Sequence, residues 1–132
     1  MYGLFDILFV IIHSALVIFN LTGWIWRKRR RIHLITILMT LASWSLLGIF
    51  YGFGYCPCTD WHWDVKRKLG ETDLPASYIK YYLDRITPFD WNPGTVDVLV
   101  LTFAFGALAA SVLTNWRDWK REKKSRSETF AR

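Results

Sequence analysis

Arg27-Lys28-Arg29-Arg30-Arg31 is the stretch that decides the fold. These five consecutive cations stand between two long apolar runs, residues 4–26 and 32–56. A charge block between two such runs marks a helical hairpin whose short connection stays on the cytoplasmic side of a membrane. A helix that crosses the hydrocarbon layer needs about 20 mostly apolar residues at about 1.5 Å of rise each. Both runs reach that length, and so does a third at residues 94–116. Helices buried in a soluble protein rarely run so far without a charge on an exposed face. The expected fold is all-α, a polytopic membrane protein with three transmembrane helices, forming a single membrane domain over residues 1–132.

Charge then orients the chain. The net charge of +6 is unevenly spread: the first loop carries five Lys/Arg and no acid, and residues 117–132 carry seven Lys/Arg against three acids. The outer loop, residues 57–93, has five Lys/Arg against six acids. Short basic segments stay in the cytoplasm, so the N-terminus and the central loop go outside and the tail, residues 117–132, goes inside. The first helix lacks a basic segment before it and an Ala-x-Ala-like site after it, so it reads as a retained helix, not a signal peptide. Membrane insertion and attraction to anionic lipid account for the basic clusters. The expected partners are the lipid bilayer and other membrane-protein subunits, with no nucleic acid.

Polar residues inside the spans come next. Asp6, His13 and Asn20 recur every seven residues, nearly two turns, and so share one face of helix one. Polar groups in hydrocarbon are costly, so that face should meet protein. Helix two, antiparallel, brings Thr36 and Thr40 to the depth of Asn20, and Ser43, Trp44 and Ser45 to that of His13. His33 falls at the cytoplasmic boundary. Helix three carries small residues at Gly106, Ala107, Ala110 and Ser111, which allow close helix approach. Asn92-Pro93 predicts its capped start. The polar tail beyond Trp119 is expected to be disordered, with at most a helical extension at its start.

The outer loop predicts two short amphipathic helices forming a cap on the outer face. One shows Trp61, Val65 and Leu69 at a spacing of four and stops at Gly70. The other shows an apolar stripe of Tyr78, Ile79, Tyr82, Leu83 and Ile86, and breaks at Thr87-Pro88.

Three constellations bear on chemistry. The outer-face segment Cys56-Pro57-Cys58-Thr59-Asp60-Trp61-His62 gathers two thiols, carboxylate and imidazole. Thiolate plus imidazole suits a soft divalent metal held by Cys56, Cys58 and His62, although C-x-C with a His four residues on matches no standard zinc spacing. Thiol redox chemistry and plain structural packing are the alternatives, and no cofactor is the simplest expectation. The second constellation is Asp6 with Asp97, both a few residues inside the outer interface on parallel helices, where paired carboxylates would raise one pKa or recruit a cation, unless each simply faces interfacial water or caps a neighbour. The third is His13 at mid-membrane, either a proton relay or ligand, or a neutral ring hydrogen-bonded to Ser43, Trp44 or Ser45. His33 lies about 20 Å away along the helix axis, which excludes a shared haem. No Ser-His-Asp grouping, phosphate loop or HExxH motif occurs.

Asp6 with His13, Gly23, the basic turn followed by His33, Trp44, Cys56-Pro57-Cys58-Thr59, Gly70 and Tyr81-Tyr82-Leu83 form a pattern that runs from about Asp6 to Ile86. It resembles a family of small bacterial inner-membrane proteins known only as a domain of unknown function. That family usually has Leu at the position of Cys58, often Glu at that of His62 and His at that of Tyr81. The resemblance therefore implies common roles for Asp6, His13, His33, Cys56 and Thr59, and a place in the bacterial inner membrane. The resulting expectation is a non-enzymatic accessory or assembly component. The alternatives are an outward-facing metal, thiol-redox or proton-relay site built on Asp6, His13 and Cys56, and a small-ligand or lipid binder using a pocket under the cap.

Overall fold

The computed structural model describes residues 1–131; Arg132, the last residue of the expected tail, lies outside them. Helix α1 runs Tyr2–Thr22. Two 3-10 turns, Gly23–Ile25 and Arg27–Arg29, lead into α2, Arg30–Ala42. A π-helical turn at Ser43–Leu47 joins α2 to the short α3, Gly48–Tyr51. The cap helices are α4, Pro57–Lys68, and α5, Tyr78–Ile86, and the chain ends in α6, Pro93–Phe130. No strand occurs among the described residues. Three helical segments are long and apolar enough to cross a membrane: Tyr2–Ile25, Arg27–Tyr51 and Pro93–Phe130. The chain is all-α with three such helices, as its apolar runs predict.

Packing in the bundle inverts the soluble pattern. Large apolar side chains such as Ile11, Ile35, Met39 and Phe103 stand exposed on the outside, where lipid would cover them. The buried positions of α6 are mainly small: Ala104, Ala107 and Ser111, with Val96 at its start. Small residues let backbones approach and polar residues bond across helices. Gly106 is not part of this seam. It is exposed, and a Cβ there would meet nothing. The contact runs instead through Ala104, Ala107 and Ser111, the residues that share a face at helical spacing.

Capping proceeds as the sequence predicts at α6, where the Asn92 side chain accepts from Thr95 N at 3.3 Å and Pro93 takes the first turn. Gly70, at φ 91, follows α4. Elsewhere the structure departs from expectation. The basic quintet is helical, because Arg and Lys are good helix formers and Arg30 Nε satisfies the Trp24 carbonyl at 2.9 Å. The second helix, expected to reach Cys56, stops at Tyr51, since Gly52 turns to φ 102 and leaves the helical path. The tail is helix through Phe130, not disordered beyond Trp119. Its Lys, Arg and Glu residues favour helix, its start is tied to α2 by Arg30–Asp118 at 2.9 Å, and Lys124–Glu128 lies along it at 3.9 Å.

The largest correction concerns α4. Trp61 is 60% exposed and Leu69 is exposed too, so the predicted apolar stripe faces outward. The inward face is Thr59, His62, Trp63 and Lys66. It packs along the cap-side half of α1, where the partner is a carboxylate, and charge complementarity decides the rotation.

Candidate functional site

Asp6 lies in the second turn of α1, a position where an unpaired carboxylate would be costly. His62 and Lys66, four residues apart, stand on one face of α4 and both reach it. His62 Nε2 donates to Asp6 Oδ1 at 2.6 Å, and Lys66 Nζ lies 3.0 Å from the same oxygen. Lys66 also meets Glu71 Oε1 at 3.2 Å. The other oxygen of Glu71 accepts from the Tyr81 hydroxyl and from Arg85 at 2.9 Å. The Arg85 guanidinium covers the Tyr81 ring at 4.3 Å. Charges therefore alternate from α1 through α4 to α5: Asp6, Lys66, Glu71, Arg85.

This pairing decides the protonation states in the cap. Burial alone would depress the Lys66 pKa, but the hydrogen bonds its ammonium makes to Asp6, Tyr81 and Glu71 outweigh it and hold the pKa above the ordinary lysine value. For Glu71, burial pushes upward, and hydrogen bonds from Tyr81 and Lys66 bring the pKa below the usual carboxylate value. Burial, and then the Glu71 hydrogen bond, raises Tyr81. Tyr82, half-buried beside Tyr78, is pushed up to about 12.

An aromatic layer seals the network. Trp63, Tyr78 and Tyr81 form the buried core of the cap, with Leu74, Ile79 and Tyr82 against it. Trp63 Nε1 donates to Pro75 O at 2.7 Å. Phe9 stacks on His62 at 5.4 Å. Tyr78 stacks on His13 at 4.0 Å and pairs its hydroxyl with Ser14 Oγ at 3.0 Å. His13 thus meets α5 instead of helix two. The expected partners are engaged elsewhere: Ser43 Oγ donates to Tyr55 O at 3.1 Å and Ser45 Oγ to Leu41 O at 2.8 Å. Nδ1 of both His13 and His62 is buried without a hydrogen-bond partner among the described residues.

The remaining candidates separate. Asp97 is half-buried and makes no hydrogen bond or ion pair among the described residues. Asp6 is committed to α4, and it is neighbouring Val96 that α6 buries, which turns Asp97 about 100° aside. Asp6 and Asp97 share no hydrogen-bond or ion-pair partner among the described residues. Cys56 and Cys58 are free, half-buried thiols at the start of α4. Burial, and then Cys56 beside it, raises the Cys58 pKa. With His62 engaged by Asp6, the three expected metal ligands do not converge, and no group of three such residues is placed for a metal among the described residues. Thr59 is buried, and Asp60 accepts from the Tyr55 hydroxyl at 3.1 Å.

Asn20 and His33 form a second polar centre at the basic end. Asn20 Nδ2 donates to Thr40 Oγ1 at 2.9 Å, the pairing that the antiparallel register predicts. His33 is fully buried. Its Nε2 lies 2.9 Å from Asn20 O and its Nδ1 2.9 Å from Ser111 Oγ. A carbonyl only accepts, so Nε2 carries the proton and the Ser111 hydroxyl donates to Nδ1. One imidazole thereby fastens all three long helices.

Sequence reasoning missed Lys66, Glu71, Tyr81 and Arg85 as members of the cap network. The available signal was Asp6 itself: an acid inside an apolar run calls for a cation, and Lys66 shares a helical face with His62. The family described as Protein of Unknown function (DUF2784) matches residues 3–116, which include the whole cap network. No curated protein and no solved structure matches the chain.

Proposed function

The chain belongs to the DUF2784 family, a membership that brings no activity with it, and we propose from its own geometry a non-catalytic accessory or assembly component. It sits in the bacterial inner membrane with the cap outside and the C-terminal helix in the cytoplasm. The observation that carries this reading is the mutual saturation of the cap charges. Asp6, Lys66, Glu71 and Arg85 spend themselves on one another and fix α4 and α5 against α1. What the cap then offers outward includes large apolar side chains: Trp61, Leu69 and Ile86 are exposed, beside charged residues such as Asp64 and Arg67. Such a face suits another membrane-protein subunit or the bilayer surface. Gentle solubilisation and affinity purification of the full chain tests it. A larger membrane complex should come with it at fixed stoichiometry, persist in His13→Ala and be lost in Asp6→Asn, where the cap loosens. A chain that purifies alone, with Asp6→Asn indistinguishable from it, overturns the reading.

A second reading rests on the two unpartnered Nδ1 atoms of His13 and His62, which flank Tyr78 beside Asp6. Imidazoles so placed would pass protons between the membrane interior and the cap surface. Proteoliposomes decide it: wild type would dissipate a pH gradient and His13→Leu would not.

A further inference from the structure

The opposite end of the molecule carries a built cleft that the cap-centred reading does not use. It has a volume of about 360 Å³ and lies where the turn between α1 and α2 meets α6. Arg27, Lys28, Arg30 and Arg31 line it, together with Asn115, Asp118 and Glu122. Within it, Arg30 is committed to Asp118 at 2.9 Å and to the Trp24 carbonyl. Arg27 and Arg31 are more open to solvent, although Arg31 holds both Glu122 oxygens, at 3.1 and 2.9 Å. Their side chains are 64% and 77% exposed, Arg27 only 3.5 Å from Asp118 at its nearest, and Lys28 has no acidic partner among the described residues. The four cations exceed the two carboxylates, so the cleft keeps a positive surplus.

We propose that this cleft binds the phosphate headgroup of an anionic membrane lipid. Arg27, Lys28 and Arg31 would take the phosphate oxygens, with the planar guanidinium forks matching them in pairs. Arg30, held by Asp118, is the fixed wall, and Glu122, on Arg31 at 2.9 Å, is the internal competitor that the headgroup must displace. The lipid source follows from depth. Trp26, Trp116 and Trp119 flank the cleft in sequence and are about half exposed, as indoles are at headgroup level. On the bundle side of them, Ile25 and Leu113 are exposed and offer apolar surface to an acyl chain. A soluble phosphate would need none of these.

The test uses the full chain in nanodiscs of phosphatidylcholine doped with phosphatidylglycerol, the bound lipid being counted after re-purification. Wild type should retain phosphatidylglycerol in preference to phosphatidylcholine. Arg27→Gln with Arg31→Gln should reduce that retention by about tenfold or more, since each surface cation contributes about fivefold. Glu122→Gln should raise it, because Arg31 is released. This variant keeps all four cations and serves if the double variant does not fold. Unchanged retention in Glu122→Gln, or in a folded double variant, overturns the proposal. Protection of the cleft arginines from guanidine-reactive reagents is the second readout, in pure phosphatidylcholine discs with inorganic phosphate. Protection by inorganic phosphate as strong as by phosphatidylglycerol would assign the cleft to a soluble anion and also overturn the lipid assignment.

Discussion

Lys66 is the residue on which the cap turns. Its side chain is 4% exposed, and Asp6 on α1 and Glu71 on the α4–α5 connection are its two ion-pair partners. Removing one member of a buried pair leaves the other charge uncompensated. Asp6→Asn should therefore cost about 2 kcal/mol in denaturant unfolding of the solubilised protein, below the range for a fully buried pair because Asp6 keeps 24% of its side chain exposed. Adding Lys66→Met to Asp6→Asn should recover about 1 kcal/mol, and a purely additive double variant would show that the two do not interact. At His13, Leu should be tolerated within about 1.5 kcal/mol, while Lys, placing an ammonium against Tyr78, should cost about 3 kcal/mol or more. Glu71 adds a pH dependence of definite sign. Its folded pKa lies below the ordinary 4.5, so its contribution is present above that pH and disappears as pH falls through the folded value. Lys66 and Tyr82, both raised, hold through neutral pH and yield only in alkali, above their ordinary 10.5 and 10.0. Unfolding midpoints should fall below about pH 4.5, and Glu71→Gln should flatten that acid limb.

At the level of elements, closeness is set by glycine and by small residues. A Cβ at Gly23 would come 2.7 Å from His33 Cδ2 and 2.8 Å from the Phe19 ring. His33 cannot yield, being held at both ring nitrogens. Gly23→Ala should cost about 2 kcal/mol through overpacking. Gly106→Ala, facing open space, should change stability by no more than about 0.5 kcal/mol. Thermal unfolding of the two variants side by side checks the pair. Elements were also where sequence reading succeeded and failed for identifiable reasons. Asn92 with Pro93, Gly70, and the meeting of Asn20 with Thr40 were legible because each depends on local chemistry or on fixed antiparallel depth. The facing of α4 was not. Trp61, Val65 and Leu69 repeat at a helical period, but the helix buries whatever its neighbour requires, and its neighbour presents Asp6. The Ser43–Leu47 turn was illegible for another reason: no single residue type announces an extra residue in a turn.

For the whole molecule, the two ends follow different rules. The basic end was visible in the sequence as five adjacent cations, yet its internal pairing with Asp118 and Glu122 requires α6 to run unbroken beyond its apolar stretch. At 38 residues, about 57 Å, that helix exceeds the hydrocarbon thickness by almost half its length. The cap end was legible as amphipathic helices, but its core of Trp63, Tyr78 and Tyr81 depends on contacts between segments far apart in the chain. The candidate site followed the same division. Asp6, His13 and His62 were each visible, and only folding shows that α4 and α5 reach down α1 as far as Ser14 to enclose them.

The wide turn at Ser43–Leu47 gives the second long helix one surplus residue, with ordinary helix on either side. A helix carrying such slack answers differently to losing part of its length. Excising one residue from 34–41 would swing everything downstream by about 100° and pull Ser43 from Tyr55. Excising Leu46 instead, exposed on the surface, converts the loose turn to a regular one and leaves both flanking segments facing as before. Chains one residue shorter there should still fold, while equal losses a turn or two earlier should not.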